Sequence, residues 1–189
     1  MQVSAHIHGR PRIGETRSGD AGCVRTIDGV TWALLIDGLG HGPRAAEVAE
    51  RAVEEHGSFT AELSVEAALT RLHAALEGTR GAAATLLRFG ARTLGFGGIG
   101  NVSLRTLAGA RVPFIAANGI VGHRPLRVRV GEIELSSPGR LLMFTDGIVP
   151  TAPLSTMAFL GAEALARTLI ADHSLARDDA TVMVLSYEP

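Results

Sequence analysis

The run WALLID, from Trp32 to Asp37, is apolar at nearly every position and ends on an aspartate. A strand with one wet face alternates apolar and polar residues; a strand apolar at successive positions must be covered on both faces. The run is therefore expected inside a sheet with packed layers on either side. Asp28-Gly29 stands just before it as a hairpin signal, joining it to a strand over Ala21–Ile27. Val3–His8 alternates as a half-buried strand would, and the Gly/Pro/Arg-rich stretch from Gly9 to Gly19 breaks that pattern.

Beyond DGLGHG, Pro43 stands where a first helical residue can sit, and Ala45, Val48, Ala49, Ala52 and Val53 recur at helical spacing. A second helix starts after Ser64 as N-cap, with Val65, Ala68, Leu69, Leu72 and Leu76 on one face. From Ala82 to Phe144 the sequence reads as strand and turn: AAATLLRFG, TLGFGGIG, NVSLRTLAG, RVPFIAANG, LRVRVGEIEL and LLMFTDG, with Asn118-Gly119 and Gly131-Glu132 as turns. A helix over Ser155–Asp172 follows, with Met157, Leu160, Ala164, Leu165 and Leu169 on its apolar face, and ATVMVLSY closes the chain as a strand. This order is α+β, with mainly antiparallel sheets. Neither linker nor repeat divides it, so residues 1–189 are expected to form one domain.

Charge narrows the function. Eighteen Lys plus Arg against 19 Asp plus Glu leave a net charge of −1, which gives no footprint for a nucleic acid or an anionic membrane. Aromatic residues make up 4%, so the core rests on Ala, Val, Leu and Ile. Cys23 is the single cysteine, which excludes an intramolecular disulfide and a zinc site of several thiolates. It reads as a small core residue in a reducing, cytoplasmic compartment. No apolar segment has signal-peptide or membrane-span length. His6, His8, His56, His73, His123 and His173 read as surface residues.

Four segments place carboxylates beside expected strand ends: SGDAG with Asp20, IDGLGHG with Asp37, FTDGI with Asp146, and ARDDATV with Asp178 and Asp179. Carboxylates brought together repel and raise one another's pKa, and a divalent cation resolves that conflict. Oxygen donors without thiolates favour Mg²⁺ or Mn²⁺. Two such ions sharing a carboxylate would lower the pKa of a water enough to attack phosphorus. Gly38 permits its own carbonyl to approach a metal, and Gly40 and Gly42 re-aim the chain into the next helix.

Taken in order, SGDAG, LIDGLGHGPRAA, GFGGIGNVSLR, LLMFTDGI and RDDATVMVL resemble the PP2C-type metal-dependent Ser/Thr protein phosphatases, in the bacterial SpoIIE-like branch with its short stressosome phosphatases. The likeness covers nearly the whole chain. It implies a four-layer α/β/β/α sandwich of two packed antiparallel sheets flanked by helices, with a binuclear Mn²⁺ or Mg²⁺ centre. By motif, Asp37 matches the carboxylate bridging both metals, Gly38 the main-chain ligand, Asp146 and Asp178 the carboxylates that complete the coordination of the second metal, and Asp20 the upstream acid that orients metal-bound water. Asp179 is expected to support them, and Asn101 and Thr181 to support turns and strand ends.

The pattern departs from eukaryotic relatives in one place: the spacing of their phosphate-binding arginine falls on Glu15, with Arg12 and Arg17 nearby, so phosphate is expected to be held chiefly by the metals. His41 reads equally as a general acid or a turn histidine. The GxGxxG of Gly95, Gly97 and Gly100 precedes an alternating run rather than a helix, and so reads as a glycine-rich hairpin, not a dinucleotide site. Segments 9–19 and 149–156 are expected to flank the site. The resemblance further implies a phosphorylated signalling partner, such as a STAS-domain protein. The alternative is a catalytically silent binding module of the same fold within a partner-switching complex.

Overall fold

The structure, a computed structural model, describes residues 1–123 and 126–189. Two sheets, antiparallel in every strand ladder, stack face to face. One takes the order β1 (Gln2–Arg10), β9 (Ala180–Glu188), β8 (Gly139–Phe144), β6 (Ser103–Ala108). The other takes β2 (Asp20–Ile27), β3 (Val30–Gly38), β4 (Ala82–Phe89), β5 (Thr93–Ile99), β7 (Val130–Glu134). Helices α1 (Pro43–Gly57) and α2 (Val65–Leu76) cover the second sheet, and α4 (Ala162–His173) covers the first. The result is the α/β/β/α sandwich.

The apolar run explains the layering. Trp32, Leu34 and Ile36 face α1 and α2 in one buried cluster, while Ala33 and Leu35 face Leu141, Met143, Met183 and Leu185 between the sheets. All five are essentially inaccessible to solvent, and each large aliphatic side chain so buried contributes roughly 1.5–3 kcal/mol. Asp28 (φ 47°) and Gly29 (φ 78°) form the tight turn between β2 and β3, both in the left-handed region such a hairpin requires. Ser64 caps α2 by accepting a hydrogen bond from the Ala67 amide at 3.1 Å.

Several expectations give way. RVPFIAANG forms no named strand and makes only an isolated bridge, Ala117 to Ile99, while the LRVRVGEIEL segment is a strand only over Val130–Glu134. Gly131-Glu132 is not a turn but lies within β7 opposite Phe96 and Gly95. A Cβ on Gly131 would come within 2.5 Å of the Phe96 ring, so glycine is there for close packing rather than for bending. The glycine-rich segment is not a hairpin either: β5 and β6 belong to different sheets, and Gly100 (φ 90°) sits where the chain crosses between them. The helix expected over Ser155–Asp172 is two pieces, a short α3 (Leu154–Met157) and α4, interrupted at Gly161. Arg140 holds the break by donating to the carbonyls of Ala158 and Leu160 at 3.2 and 2.5 Å. His56 and His73 are buried rather than exposed; the His73 Nδ1 accepts from the Gly122 amide at 3.1 Å. Cys23 is partly buried against the helix-side cluster.

Candidate active site

The sandwich brings every acidic motif to one end. Asp20 opens β2 and Asp37 nearly closes β3, and the antiparallel register sets them directly opposite each other. Asp146 follows β8, and Asp178 and Asp179 precede β9, both strands of the facing sheet. Like charges directly opposite in a ladder are destabilising, so this end is maintained against its own electrostatics.

Asp37, Asp146 and Asp178 line an open cleft of about 350 Å³, with Leu39, Gly40, His41, Ala83, Asn101 and Arg177. Asp20 is buried, only 8% exposed, and accepts a hydrogen bond from the Thr145 hydroxyl at 2.7 Å. Thr145 Oγ1 in turn accepts from the Thr181 amide at 3.0 Å, tying β2 to β8 and β9. Asn101 Nδ2 donates to Asp146 Oδ2 at 2.7 Å. Asp179 faces away from the cleft and accepts from the amides of Arg12 and Gly19, each at 2.7 Å. That clamp seats the Gly9–Gly19 segment beside the site. Segment 149–156 does not line the cleft; its role as a flank passes to Leu39–His41 and Arg177.

Two glycines permit the approach. A Cβ at Gly38 would meet the Ala45 carbonyl at 2.6 Å, and the Gly38 amide donates to the Gly19 carbonyl at 2.9 Å. A Cβ at Gly147 would fall 1.8 Å from the Asp179 carbonyl, so only glycine lets the turn after Asp146 close on the start of β9.

Burial pushes the Asp20 carboxyl up to about 7, with Asp179 and Asp146 adding to the rise and the Thr145 and Thr181 hydroxyls opposing it. Asp37 is raised further, first by burial, then by the charges of Asp20, Asp146 and Asp178. Asp178 is raised by burial and by Asp146. A side-chain hydrogen bond with Asp146 adds a smaller part to the rise at Asp37. Among the described residues no three His, Cys, Asp or Glu side chains already aim at a common point. The donor set nonetheless fits a hard divalent ion: its donors are all oxygen, its carboxylates raise one another's pKa, and Asp20 and Asp37 are largely desolvated.

The remaining cations divide clearly. Arg17, near the position of the missing phosphate-binding arginine, pairs with Glu50 of α1 at 2.5 Å and lies outside the cleft. Arg10 donates to Ser174 and to the carbonyls of Pro11, Leu175 and Asp178. Glu15 pairs with His41 Nδ1 at 2.8 Å, holding that ring at the rim. Arg177 faces the cleft, and among the described residues its guanidinium has no ion-pair or hydrogen-bond partner. Sequence reading passed over Arg177 and Thr145, although Arg177 directly precedes the acidic pair and Thr145 directly precedes Asp146.

The family model for stage II sporulation protein E (SpoIIE) matches residues 27–188, most of the chain. The chain belongs to the SpoIIE family. This is the family of PP2C-type phosphatase domains, and solved structures agree. A chain of the bacterial stressosome, described as a modular system adapted to control secondary messenger signaling, is 30% identical with a TM-score of 0.88, covering 98% of this chain and 100% of that one. RsbX, solved in complex with magnesium, is 20% identical with a TM-score of 0.83 over 97% of this chain and 94% of its own. The PP2C phosphatase domain of SpoIIE from Bacillus subtilis is 20% identical with a TM-score of 0.78, over 97% of this chain and 63% of that one. No curated protein matches this SpoIIE-family chain in sequence. No helix among the described residues is long and apolar enough to cross a membrane.

Proposed function

We propose that this SpoIIE-family chain is a single-domain, metal-dependent protein phosphatase acting on phosphoserine or phosphothreonine of a signalling protein. The observation that carries the reading is the cleft itself, in which three carboxylates of both sheets and one unpaired arginine meet at the end of a PP2C-type sandwich. Asp37, Asp146, Asp178, Asp20 and the Gly38 carbonyl are the groups that would hold two Mn²⁺ or Mg²⁺ ions. When bound, these ions would supply the positive charge that keeps the carboxylates ionised and would acidify a water for attack on phosphorus.

The chain's own residues do the remaining work. Arg177 presents a planar, permanently charged guanidinium suited to two phosphoryl oxygens at once, filling the part that Arg17, held by Glu50, does not take. Asn101 fixes the rotamer of Asp146, and Thr145 fixes that of Asp20. His41, oriented by Glu15, stands at the rim where the departing serine or threonine oxygen needs a proton. Cys23 packs against the helix-side core, away from the cleft, so no thiol serves as nucleophile. The 30% identity to a stressosome chain over nearly full length supports a stress-signalling partner, of which a phosphorylated STAS-domain protein is our choice.

Hydrolysis of p-nitrophenyl phosphate and of a phosphothreonine peptide, with Mn²⁺, with Mg²⁺ and with EDTA, tests this directly beside Asp37→Ala. Turnover should require the metal and fall by about 10²-fold or more in the variant. Turnover in Asp37→Ala within a few-fold of wild type would sink the assignment.

A further inference from the structure

A second concavity, about 500 Å³, adjoins the cleft and is lined by Arg44, Val48 and Arg51 of α1 and by Thr79 and Arg80 after α2, with Glu47 the single acid among the described residues that line it. All 18 Lys and Arg positions of the chain are arginine, and some of them are neutralised by a carboxylate, as Arg17 is by Glu50, Arg71 by Glu55 and Arg167 by Glu163. Among the described residues, the guanidiniums of Arg44, Arg51 and Arg80 have no such partner, even though Glu47 stands four residues before Arg51. Three unpaired arginines side by side repel one another, an arrangement that favours an anion from outside.

The two concavities share a wall. A Cβ on Gly40, a residue of the acidic cleft, would lie 2.8 Å from Arg80 Nη1, and the Leu39 amide donates to the Gly81 carbonyl at 2.9 Å. The basic groove therefore begins where the cleft ends. Arg44 and Arg51 are seven residues apart on one helix face, about 10 Å along the axis at 1.5 Å per residue. One phosphate cannot bridge that span, whereas two carboxylates three residues apart on an extended chain of the polyproline II kind can, because side chains there return to the same face every third residue at about 3.1 Å per residue. Among the described residues, no aromatic side chain lines the groove to stack a base, and no exposed apolar side chain lines it to enter a lipid surface.

We infer that this groove docks an acidic, extended segment of the phosphoprotein substrate, flanking the phosphorylated residue as that residue enters the cleft. The inference rests on the phosphatase reading for the direction of the chain, but the binding it demands can be measured without turnover. Arg-to-carboxylate pairs of this exposed kind act mainly through association and are screened by salt.

The test uses the full chain and the variant R44E/R51E. Both substitutions lie on the exposed face of α1, and an acid in its first turn suits the helix dipole. Fluorescence anisotropy would follow two labelled peptides without phosphate, one rich in Asp and Glu and one of the same length made neutral, at low and at physiological salt. Wild type should bind the acidic peptide about 10-fold more tightly than the neutral one at low salt, and R44E/R51E should lose that preference. Hydrolysis of p-nitrophenyl phosphate should remain within about two-fold of wild type, since the groove takes no part in holding the reacting phosphorus. Equal affinity for both peptides, or an unchanged preference in R44E/R51E, overturns the inference. Failure of wild type to hydrolyse p-nitrophenyl phosphate or a phosphopeptide counts against the phosphatase reading instead, and the anisotropy result still decides the groove.

Discussion

Thr145 shows how single residues build this site. Its hydroxyl donates to Asp20 and accepts from the Thr181 amide, joining strands more than a hundred residues apart in sequence. Thr145→Val keeps the shape and removes both bonds, leaving the buried Asp20 carboxyl with one hydroxyl partner fewer and the buried Thr181 amide without the hydroxyl it donates to. Unfolding by urea should show a loss of about 2–4 kcal/mol; a loss below about 0.5 kcal/mol would mean that water replaces the hydroxyl and that the tie is not structural. The acids were legible in the sequence because each sits at a strand end beside a glycine or a second acid. Thr145 and Arg177 were not, because their roles depend on which strands pair and on which neighbouring cations are already taken. The burial of Asp20 was equally hidden, since an Asp at a strand start reads the same whether it faces water or a second sheet.

At the scale of elements, local pattern carried β2, β3, α1 and α2 nearly to the residue, because a hairpin signal, an N-cap and an unbroken apolar face each act over a few positions. It misread β5 to β6, where short-range turn chemistry looks alike whether the chain returns along its own sheet or crosses to the facing one. It also ran α3 and α4 together, since their apolar residues keep helical spacing across Gly161. The buried His56 in the last turn of α1 was missed for a related reason: its environment is made by Phe59, whose ring centre is 5.3 Å away, and by the sheet beneath. Burial lowers its pKa to about 4, and its Nε2 has no hydrogen-bond partner. The unfolded chain therefore takes up a proton near pH 6.5 that the folded chain refuses until about pH 4. Stability from this group is present above pH 6.5 and is lost as pH falls toward 4. His56→Leu should remove that dependence, so that wild type loses about 1–3 kcal/mol more than the variant between pH 7 and pH 4.5 in urea titrations. Parallel losses in the two proteins would refute it.

Over the whole molecule, the sandwich makes a cleft that neither sheet could make alone. Asp20 and Asp37 come from one sheet, Asp146 and Asp178 from the ends of strands in the other, and the apolar layer of Leu35, Leu141, Met143, Met183 and Leu185 sets the distance between them. Packing thus holds together charges that would otherwise separate, and the strain is stored at the functional end.

That balance gives the account its most direct test: thermal unfolding of wild type and Asp37→Asn at pH 7.5, each in EDTA and in Mn²⁺. In EDTA, Asp37→Asn should be the more stable protein, because it removes a carboxyl that is ionised in the unfolded chain at this pH and must be protonated or desolvated to take its place beside Asp20, Asp146 and Asp178. In Mn²⁺ at about 100 times its Kd, wild type should gain about 2.7 kcal/mol, or about 5–10 °C in Tm for a chain of this length, and overtake the variant. An Mn²⁺ shift equal in both proteins, or absent from wild type, would contradict the claim that these aspartates form a divalent-metal site.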